Sequence, residues 1–210
     1  MRTDNIYLVG AGGHCKVVLD ALLEDGVSPS RFHICDEAPH LHEREFLDHR
    51  IETPLPFDKM AKSYFHLAIG KIEVRRRLFA ALTERGALPL TVVHPSASVS
   101  RYSVLGAGCF VAARSVIAPA AILGDSVISN HGAIIDHDCE VGDFSHIAPN
   151  VTLGGGVKVA AGVFIGAGAI ILPGIRIGTG ATVGAGAVVT EDVDAGETRV
   201  GIPARKIVRV

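Results

Sequence analysis

The second half of the chain repeats an aliphatic residue at every sixth position. Counting in sixes from Val99 to Val189 gives sixteen positions, of which fifteen are aliphatic and one is Ser129. A small or β-branched residue follows four positions after nearly every one of them, from Ser103 to Val193. An α-helix, with its period of 3.6 residues, would spread such a repeat around all of its faces. Short strands separated by tight corners fit the pattern, with the aliphatic side chains pointing inward.

This repeat predicts a β-helix, in which every coil packs on the coil before it. With three strands in each coil, residues 18 positions apart would lie directly above one another. Each coil buries its apolar side chains only by stacking on its neighbours, and the frame runs without an insertion from residue 99 to residue 193. We therefore predict a β-helix domain over residues 93–210.

The first half of the chain alternates apolar runs with amphipathic segments. The apolar runs predict strands at 5–11, 32–37, 64–70 and 88–95, and the segments between them predict helices at 17–26 and 71–86. The first of these helices ends at Gly26, a common helix terminator. Alternating strands and helices indicate a parallel sheet, so we expect a Rossmann-like α/β domain over residues 1–92.

Three loops of this domain follow predicted strands, where sheets of this kind bind their ligands. Glycines there let backbone N–H groups approach a phosphate, and an acid after the second strand can accept a hydrogen bond from a ribose or a base. The candidate residues are Gly12, Gly13, His14, Asp36, Glu37, Gly70 and Glu73. The dinucleotide fingerprint is incomplete, since Cys15 stands at its third glycine position. Two alternatives to a nucleotide-binding loop of this kind remain: a glycine turn that only packs the helix on the strand, and an NAD site.

Composition and charge narrow the class of protein. The chain of 210 residues has a formal net charge of −2, which gives no electrostatic reason to expect a nucleic-acid or anionic-membrane partner. Its four cysteines show neither a CxxC pair nor zinc-ligand spacing, which favours free thiols in a reducing compartment. No signal peptide or run of about 20 apolar residues is present, so we expect a cytoplasmic protein that does not span a membrane.

One histidine of the repeat lies between two acids and away from the predicted core. His137 is two positions after the inward-pointing Ile135, with Asp136 and Asp138 on either side. A carboxylate beside an imidazole raises its basicity and fixes its orientation, which suits a general base. Gly155 is 18 residues further on, so it should stack over this histidine and leave room and an N–H for an acyl carbonyl.

Other interpretations of these residues remain open from the pattern alone. His137 could be a solvated surface histidine, and its neighbouring acids could be turn residues, since Asp favours turns. A metal site built from His131, His137 and Asp138 would be poorly spaced, so we expect no metal. Cys139 is better explained as a small residue that fills a corner than as a nucleophile.

Three segments give the chain a resemblance to a known family. They are GAGGH at 10–14, the pattern IxHDCxVGxFSHI at 135–147, and GxPA at 201–204. With these segments the whole chain resembles the bacterial nucleotide-sugar acetyltransferases of the hexapeptide-repeat superfamily. The likeness is greatest to those that N-acetylate UDP-4-amino-4,6-dideoxy sugars for bacillosamine-type glycans; relatives act on GDP-perosamine or sialic acid. The resemblance implies a left-handed β-helix, acetyl-CoA as co-substrate, and a homotrimer with active sites between subunits.

The resemblance also implies roles for individual residues. His137 would be the general base and Asp138 would support its basicity. The implied contacts to acetyl-CoA are His146, Gly155, Ala167 and Ala185. The implied contacts to the nucleotide sugar are the seven loop residues of the N-terminal domain named above. We therefore expect acetyl transfer to the amine of a nucleotide-linked amino sugar. The alternatives are O-acetylation of the sialic acid type and a non-catalytic trimer that only binds nucleotide sugars.

Overall fold

A computed structural model describes residues 5–207, which divide between Pro95 and Ser96 into two compact units. The sequence-based boundary lies three residues earlier. Residues 1–4 of the predicted domain 1–92 and residues 208–210 of the predicted domain 93–210 lie outside the described residues. None of the helices in the described part of the chain has the length and apolar character that a membrane span requires.

The N-terminal unit contains a six-stranded sheet with strand order β3-β4-β2-β1-β5-β6. All neighbouring pairs are parallel except β3 and β4, which are antiparallel. The six strands of this sheet are β1 Ile6–Val9, β2 Phe32–Cys35, β3 Glu45–Phe46, β4 His49–Glu52, β5 Tyr64–Leu67 and β6 Leu88–Pro89, and a further short strand, β7 Val92–Val93, is not part of it. The helices are α1 Gly13–Glu24, α2 Phe57–Met60 and α3 Ile72–Glu84, with 3₁₀ turns at Pro29–Arg31 and Pro39–Leu41.

The central strand β1 organises this unit. All four of its residues are buried, and it pairs with β2 on one side and β5 on the other. Helix α3 buries Arg75, Leu78 and Leu82, whose spacing places them on one face of the helix. The carboxyl ends of β1, β2 and β5 therefore meet at one edge of the sheet, which is where parallel sheets bind ligands.

The C-terminal unit is a parallel β-helix whose strands are only two residues long and start every six residues. The strands β8–β23 are Ser98–Val99, Val104–Leu105, Phe110–Val111, Val116–Ile117, Ile122–Leu123, Ile128–Ser129, Ile134–Ile135, Glu140–Val141, His146–Ile147, Thr152–Leu153, Lys158–Val159, Phe164–Ile165, Ile170–Ile171, Arg176–Ile177, Thr182–Val183 and Val188–Val189. Residues 18 positions apart pair in register, as Ile117 does with Ile135 and Ile135 with Leu153. The predicted period and register are therefore confirmed.

The inward row of the repeat forms the core of this unit. From Val111 to Val189 every residue of that row is at most 3% exposed. Ser129, the one polar member, is also buried, and its hydroxyl hydrogen-bonds the Ser115 hydroxyl at 2.7 Å. The Ser115 hydroxyl lies 3.1 Å from the Ala133 carbonyl oxygen as well. The interruption of the aliphatic row is thus accommodated by a second serine, because a buried hydroxyl needs a partner.

A hairpin closes the C-terminal end of the β-helix. Strand β24 (Thr198–Val200) continues one sheet of the helix, and β25 (Arg205–Lys206) pairs with it antiparallel. The Glu197 carboxylate, 7% exposed, accepts from Lys206 Nζ at 2.8 Å and Arg199 Nε at 2.9 Å. The hydrogen bond from Lys206, then that from Arg199, lowers the pKa of Glu197 to about 2. The ion pairs anchor the hairpin to the last coil.

Candidate active site

The turn that carries His137 joins β14 to β15 and is shaped by its two aspartates. The Asp136 Oδ1 atom accepts a hydrogen bond from the His137 backbone N–H at 2.7 Å. Asp138 has a φ of +59°, the left-handed conformation that Asp adopts more readily than most residues. The turn therefore presents the His137 side chain outward, with 62% of its surface exposed.

The two side chains His137 and Asp138 form a hydrogen-bonded pair. His137 Nδ1 lies 2.7 Å from Asp138 Oδ2, so the short aspartate side chain reaches the ring. This hydrogen bond and, next, the charge of Asp136 raise the pKa of His137 above its ordinary value of 6.5. A carboxylate on Nδ1 places the proton there and leaves Nε2 as the basic nitrogen.

Gly155 lies directly over the His137 ring, as the 18-residue spacing predicts. A Cβ atom added at Gly155 would be 2.6 Å from Nε2 and Cε1 of His137, so a side chain there would force the His137 ring to move. The next residue, Gly156, donates its N–H to the His137 carbonyl oxygen at 2.9 Å and so ties the two coils together. The Gly155 N–H takes part in none of the backbone hydrogen bonds of the described residues. It can therefore serve an oxygen atom placed beside the imidazole.

His146 lies on strand β16, in register with Ile128 and Phe164 of the neighbouring coils. Its ring meets the edge of the Phe164 ring, with centroids 5.4 Å apart and planes at 88°. Asn130 Nδ2 lies 3.4 Å from His146 Nε2, while Asn130 Oδ1 accepts the His131 backbone N–H at 2.9 Å. The second contact fixes the amide orientation, so the Asn130 amide nitrogen is the donor and His146 Nε2 is the acceptor.

Asn130 is a site residue that our sequence reasoning missed. It lies at a corner, outside both the aliphatic row and the row of small residues, so the repeat gave no reason to select it. An asparagine at a corner is also an ordinary turn residue. Its position seven residues before His137 and one coil below His146 was the available signal.

Ala167 and Ala185 stack at a second corner of the β-helix, which follows the strand of His146. The Gly186 N–H donates to the Ala167 carbonyl at 2.8 Å, and Gly168 donates to Pro149 at 2.9 Å in the coil below. His131 lies at the same corner one coil lower still, since Asn150 donates to its carbonyl oxygen at 2.9 Å. Three of the four residues predicted to contact acetyl-CoA thus fall at two corners, with Gly155 above His137 at one and the alanines at the other, while His146 lies on strand β16.

The N-terminal unit has its own cavity of about 470 Å³ at the carboxyl ends of β1, β2 and β5. Six of the seven predicted substrate residues line it: Gly12, Gly13, His14, Asp36, Glu37 and Gly70. The seventh, Glu73, is not part of the lining, whereas its neighbours Lys71 and Val74 are. One wall of the cavity is apolar and is formed by Val9, Ala68, Ile69, Val74 and Leu78.

The two acids after β2 have different contacts. Asp36 accepts the Ala11 N–H at 2.8 Å through Oδ2 and the Ala38 N–H at 2.9 Å through Oδ1. Its carboxylate therefore holds the glycine loop against the end of β2. The Glu37 carboxylate instead accepts hydrogen bonds from both terminal nitrogens of Arg77, at 3.0 and 2.5 Å. The sequence interpretation treated the two as equivalent acceptors because it could not show these partners.

Residues with metal-binding or nucleophilic side chains form no second reactive centre among residues 5–207. No group of three or more His, Cys, Asp or Glu side chains there is arranged to hold a metal ion. The four cysteines are buried free thiols. Cys139 donates its S–H to the Gly154 carbonyl oxygen at 3.2 Å, and burial raises the pKa of its thiol. A protonated, buried thiol at a corner is a poor nucleophile.

Comparison with known proteins gives matches to both halves of the chain. Residues 5–82 match the family model of the PglD N-terminal domain, and residues 156–191 match that of the bacterial transferase hexapeptide (six repeats). GDP-perosamine N-acetyltransferase of Escherichia coli O157:H7 is 34% identical over 98 residues. That alignment covers 47% of this chain and spans 44% of the length of the curated relative.

Solved structures of other proteins match nearly the whole chain. The acetyltransferase domain of PglB from Neisseria gonorrhoeae FA1090, solved with acetyl coenzyme A, is 29% identical with a TM-score of 0.91. The match covers 98% of this chain and 100% of that one. PerB from Caulobacter crescentus, solved with CoA and GDP-perosamine, is 30% identical with a TM-score of 0.78, and 97% of each chain is covered.

Proposed function

This chain belongs to the nucleotide-sugar N-acetyltransferases of the hexapeptide-repeat superfamily, and from that premise we propose that it transfers acetyl from acetyl-CoA to the amine of a nucleotide-linked amino sugar. The observation that carries the proposal is the hydrogen-bonded pair of His137 and Asp138, whose imidazole lies against the backbone of Gly155 one coil further on. The relatives support the choice of ligands, since PglB was solved with acetyl coenzyme A and PerB with CoA and GDP-perosamine.

In the proposed reaction the acetyl group passes directly from sulfur to nitrogen. The sugar amine attacks the thioester carbonyl carbon and forms a C–N bond, while His137 Nε2 takes a proton from the amine. The Gly155 N–H stabilises the oxyanion of the tetrahedral intermediate. The C–S bond then breaks, and the proton on His137 passes to the departing CoA thiolate. Asp138 holds the ring in position and stabilises the imidazolium that forms between these steps.

Acetyl-CoA would lie along the outside of the β-helix, between the two corners described above. Small side chains at Ala167 and Ala185 let an extended molecule approach the backbone there. His146, whose Nε2 faces the Asn130 amide, lies on the strand that leads into this corner and would contact the coenzyme near its thioester. Gly155 would face the thioester carbonyl.

The acceptor would bind through its nucleotide in the cavity of the N-terminal unit. The glycine loop at Gly12 and Gly13 begins helix α1, so its N–H groups are suited to a diphosphate. Asp36, Glu37 and the loop at Gly70 line the part of the cavity beyond that loop. A UDP-4-amino-4,6-dideoxy sugar is the acceptor that we favour.

We also propose that the protein is a homotrimer with active sites between adjacent subunits. The outward-facing row of one β-helix sheet is apolar over most of its length, with Ile134 39% and Ile170 43% exposed. The corresponding row of the next sheet changes from Ile122 to the charged Glu140 and Lys158. Exposed apolar rows of this kind are typical of protein–protein interfaces.

The buried free thiols fit a cytoplasmic location.

The proposal is tested by CoA release from acetyl-CoA across a panel of acceptors. The panel contains UDP- and GDP-linked 4-amino sugars and the matching 4-hydroxy sugars. We expect release with at least one amino sugar and none with its hydroxy counterpart. Release only with hydroxyl acceptors would indicate an O-acetyltransferase. A lack of release with every acceptor, from a chain that still binds nucleotide sugars, would indicate a binding protein.

A further inference from the structure

The contacts of Glu37 bear on which nucleobase the N-terminal cavity accepts. Helix α3 presents Val74 and Leu78 to the apolar wall of this cavity, and Arg77 lies between them along the helix. The phosphates are expected at the Gly12–Gly13 end of the cavity. A flat base would therefore pack on the apolar wall, with the polar edge of its ring beside Glu37, which lines the cavity and binds the Arg77 guanidinium.

The Glu37 carboxylate accepts two side-by-side hydrogen bonds from Arg77, and guanine would need the same two oxygen atoms. The two terminal nitrogens of Arg77 donate side by side to the two carboxylate oxygens, at 3.0 and 2.5 Å. Guanine presents two parallel donors of the same kind, N1–H and the N2 amino group, and a carboxylate is their usual bidentate partner. The other acid of the cavity, Asp36, already accepts two backbone N–H groups. Bound guanine would thus find both carboxylates engaged.

The donors that remain on Arg77 suit uracil, whereas guanine could offer O6 or N7 to them only by leaving its N1–H and N2 amino donors unpaired. Uracil presents two carbonyl oxygens on either side of a single N–H, so it needs mainly donors. Arg77 has five N–H donors, of which Glu37 takes two, and Lys71 adds an ammonium group to the cavity lining. We propose that the Arg77–Glu37 pair makes this cavity selective for a uracil-type base over guanine. The inference rests on the proposed function and narrows its acceptor to a uridine or thymidine diphosphate sugar.

Binding of the free nucleoside diphosphates to the full chain tests the inference without any acetyl transfer. We expect calorimetric titration to give UDP a dissociation constant at least about tenfold lower than that of GDP. Titration with dTDP distinguishes the two sources of the same base edge. If dTDP binds as tightly as UDP, the protein recognises the edge of the base alone. If dTDP binds more weakly, the protein also recognises the ribose 2′-hydroxyl of UDP. Either result is consistent with selection against guanine.

Arg77→Gln is the decisive variant, because it releases Glu37 to accept from guanine. The UDP-to-GDP preference should fall by about tenfold or more, chiefly through tighter GDP binding, and adding Glu37→Gln should abolish that gain. Arg76→Gln is the matched control, since Arg76 is the adjacent exposed arginine, whereas Arg77 is the one whose two terminal nitrogens donate to Glu37. Its preference should equal that of the unmodified protein.

Two results would overturn the inference. One is tighter binding of GDP than of UDP to the unmodified protein, and the other is an unchanged preference in Arg77→Gln. Neither depends on catalysis, so a chain that selects UDP but releases no CoA with any acceptor would contradict the proposed function alone. Conversely, acetyl transfer to a GDP-linked amino sugar in preference to a UDP-linked one would contradict only the base selection.

Discussion

At the scale of single residues, the chemistry of His137 depends on its two sequence neighbours. Asp138 hydrogen-bonds Nδ1, and Asp136 holds the backbone N–H and adds a second negative charge. Both favour the imidazolium, and the pKa of His137 is raised above 6.5. A general base acts only when it is unprotonated, so kcat/KM should rise with pH through this elevated pKa.

Asp138→Asn should move that pH profile to lower pH. Asn tolerates the left-handed conformation of residue 138, so the turn is retained, while the negative charge on Nδ1 is lost. The His137 pKa therefore falls, the unprotonated base persists to lower pH, and the inflection in kcat/KM shifts down. The plateau should also fall by about tenfold or more, because the ring loses its orienting partner. An inflection that stays in place in the variant would mean that Asp138 does not tune the base.

Gly155→Ala should remove activity without unfolding the β-helix. Gly155 has no positive φ, so alanine is acceptable to its backbone, but the new Cβ would lie 2.6 Å from the His137 ring. The ring must move, and the space for the thioester carbonyl is filled. We expect a loss of about 100-fold or more in kcat/KM with an almost unchanged melting temperature. An alanine variant with normal kinetics would show that the acyl carbonyl does not rest there.

At the scale of elements, each two-residue strand is stabilised only by the coils next to it. The strands have the same length from β8 to β23, so the site depends on which side chains the corners carry and not on special strands. A polar side chain buried inside the β-helix destabilises the folded state unless it is hydrogen-bonded. Ser129 is the one polar residue of the inward row in the described coils, and it is paired with Ser115 of the row of small residues.

The serine pair predicts non-additive effects on stability. Ser115→Ala leaves the buried Ser129 hydroxyl without its side-chain partner, at a cost of about 1–3 kcal/mol in the free energy of unfolding. Ser129→Ala should cost a similar amount. The double variant should be less destabilised than the sum, because both polar groups are then gone. Chemical denaturation measures all three, and strictly additive costs would show that the hydroxyls act independently.

At the scale of the whole molecule, the apolar outward row at Ile134 and Ile170 predicts assembly. We expect light scattering after size exclusion to give three copies for the unmodified protein. Ile170→Lys should place a charge within the proposed interface and shift the protein toward monomer. Ile122→Lys is the control, since Ile122 is similarly exposed, at 49%, on a different sheet. A monomeric unmodified protein, or dissociation caused only by the control, would contradict the proposed trimer.

How much of the molecule could be predicted from sequence differs between its two units. The β-helix followed from a period of six, because one repeated contact determines every coil, and the stacking of Gly155 on His137 followed from the same register. In the N-terminal unit the sequence reasoning did not include the strands β3 and β4, which are short and mostly polar. Helix α1 begins at Gly13, before its apolar periodicity becomes visible at residue 17.

The remaining site features could not be predicted because they depend on side-chain partners distant in sequence. Glu37 and Arg77 are 40 residues apart, and the contact between Asn130 and His146 joins two coils. Residue type and position after a predicted strand identified Glu37 as a candidate, and the family resemblance identified His146. The sequence could not show that Arg77 pairs with Glu37 or that Asn130 contacts His146, because neither Arg77 nor Asn130 belongs to a periodic pattern.

The central claim is that His137 is the base for acetyl transfer, and steady-state kcat/KM for CoA release with an amino-sugar acceptor tests it most directly. His131→Ala is the matched control, because His131 lies at the preceding corner and its contact with Asn130 uses only its backbone N–H. We predict that His137→Ala lowers kcat/KM by about 100-fold to 10,000-fold while the oligomeric state and melting temperature are unchanged. His131→Ala should stay within a few-fold of the unmodified protein. A folded His137→Ala variant with near-normal kcat/KM would contradict the account.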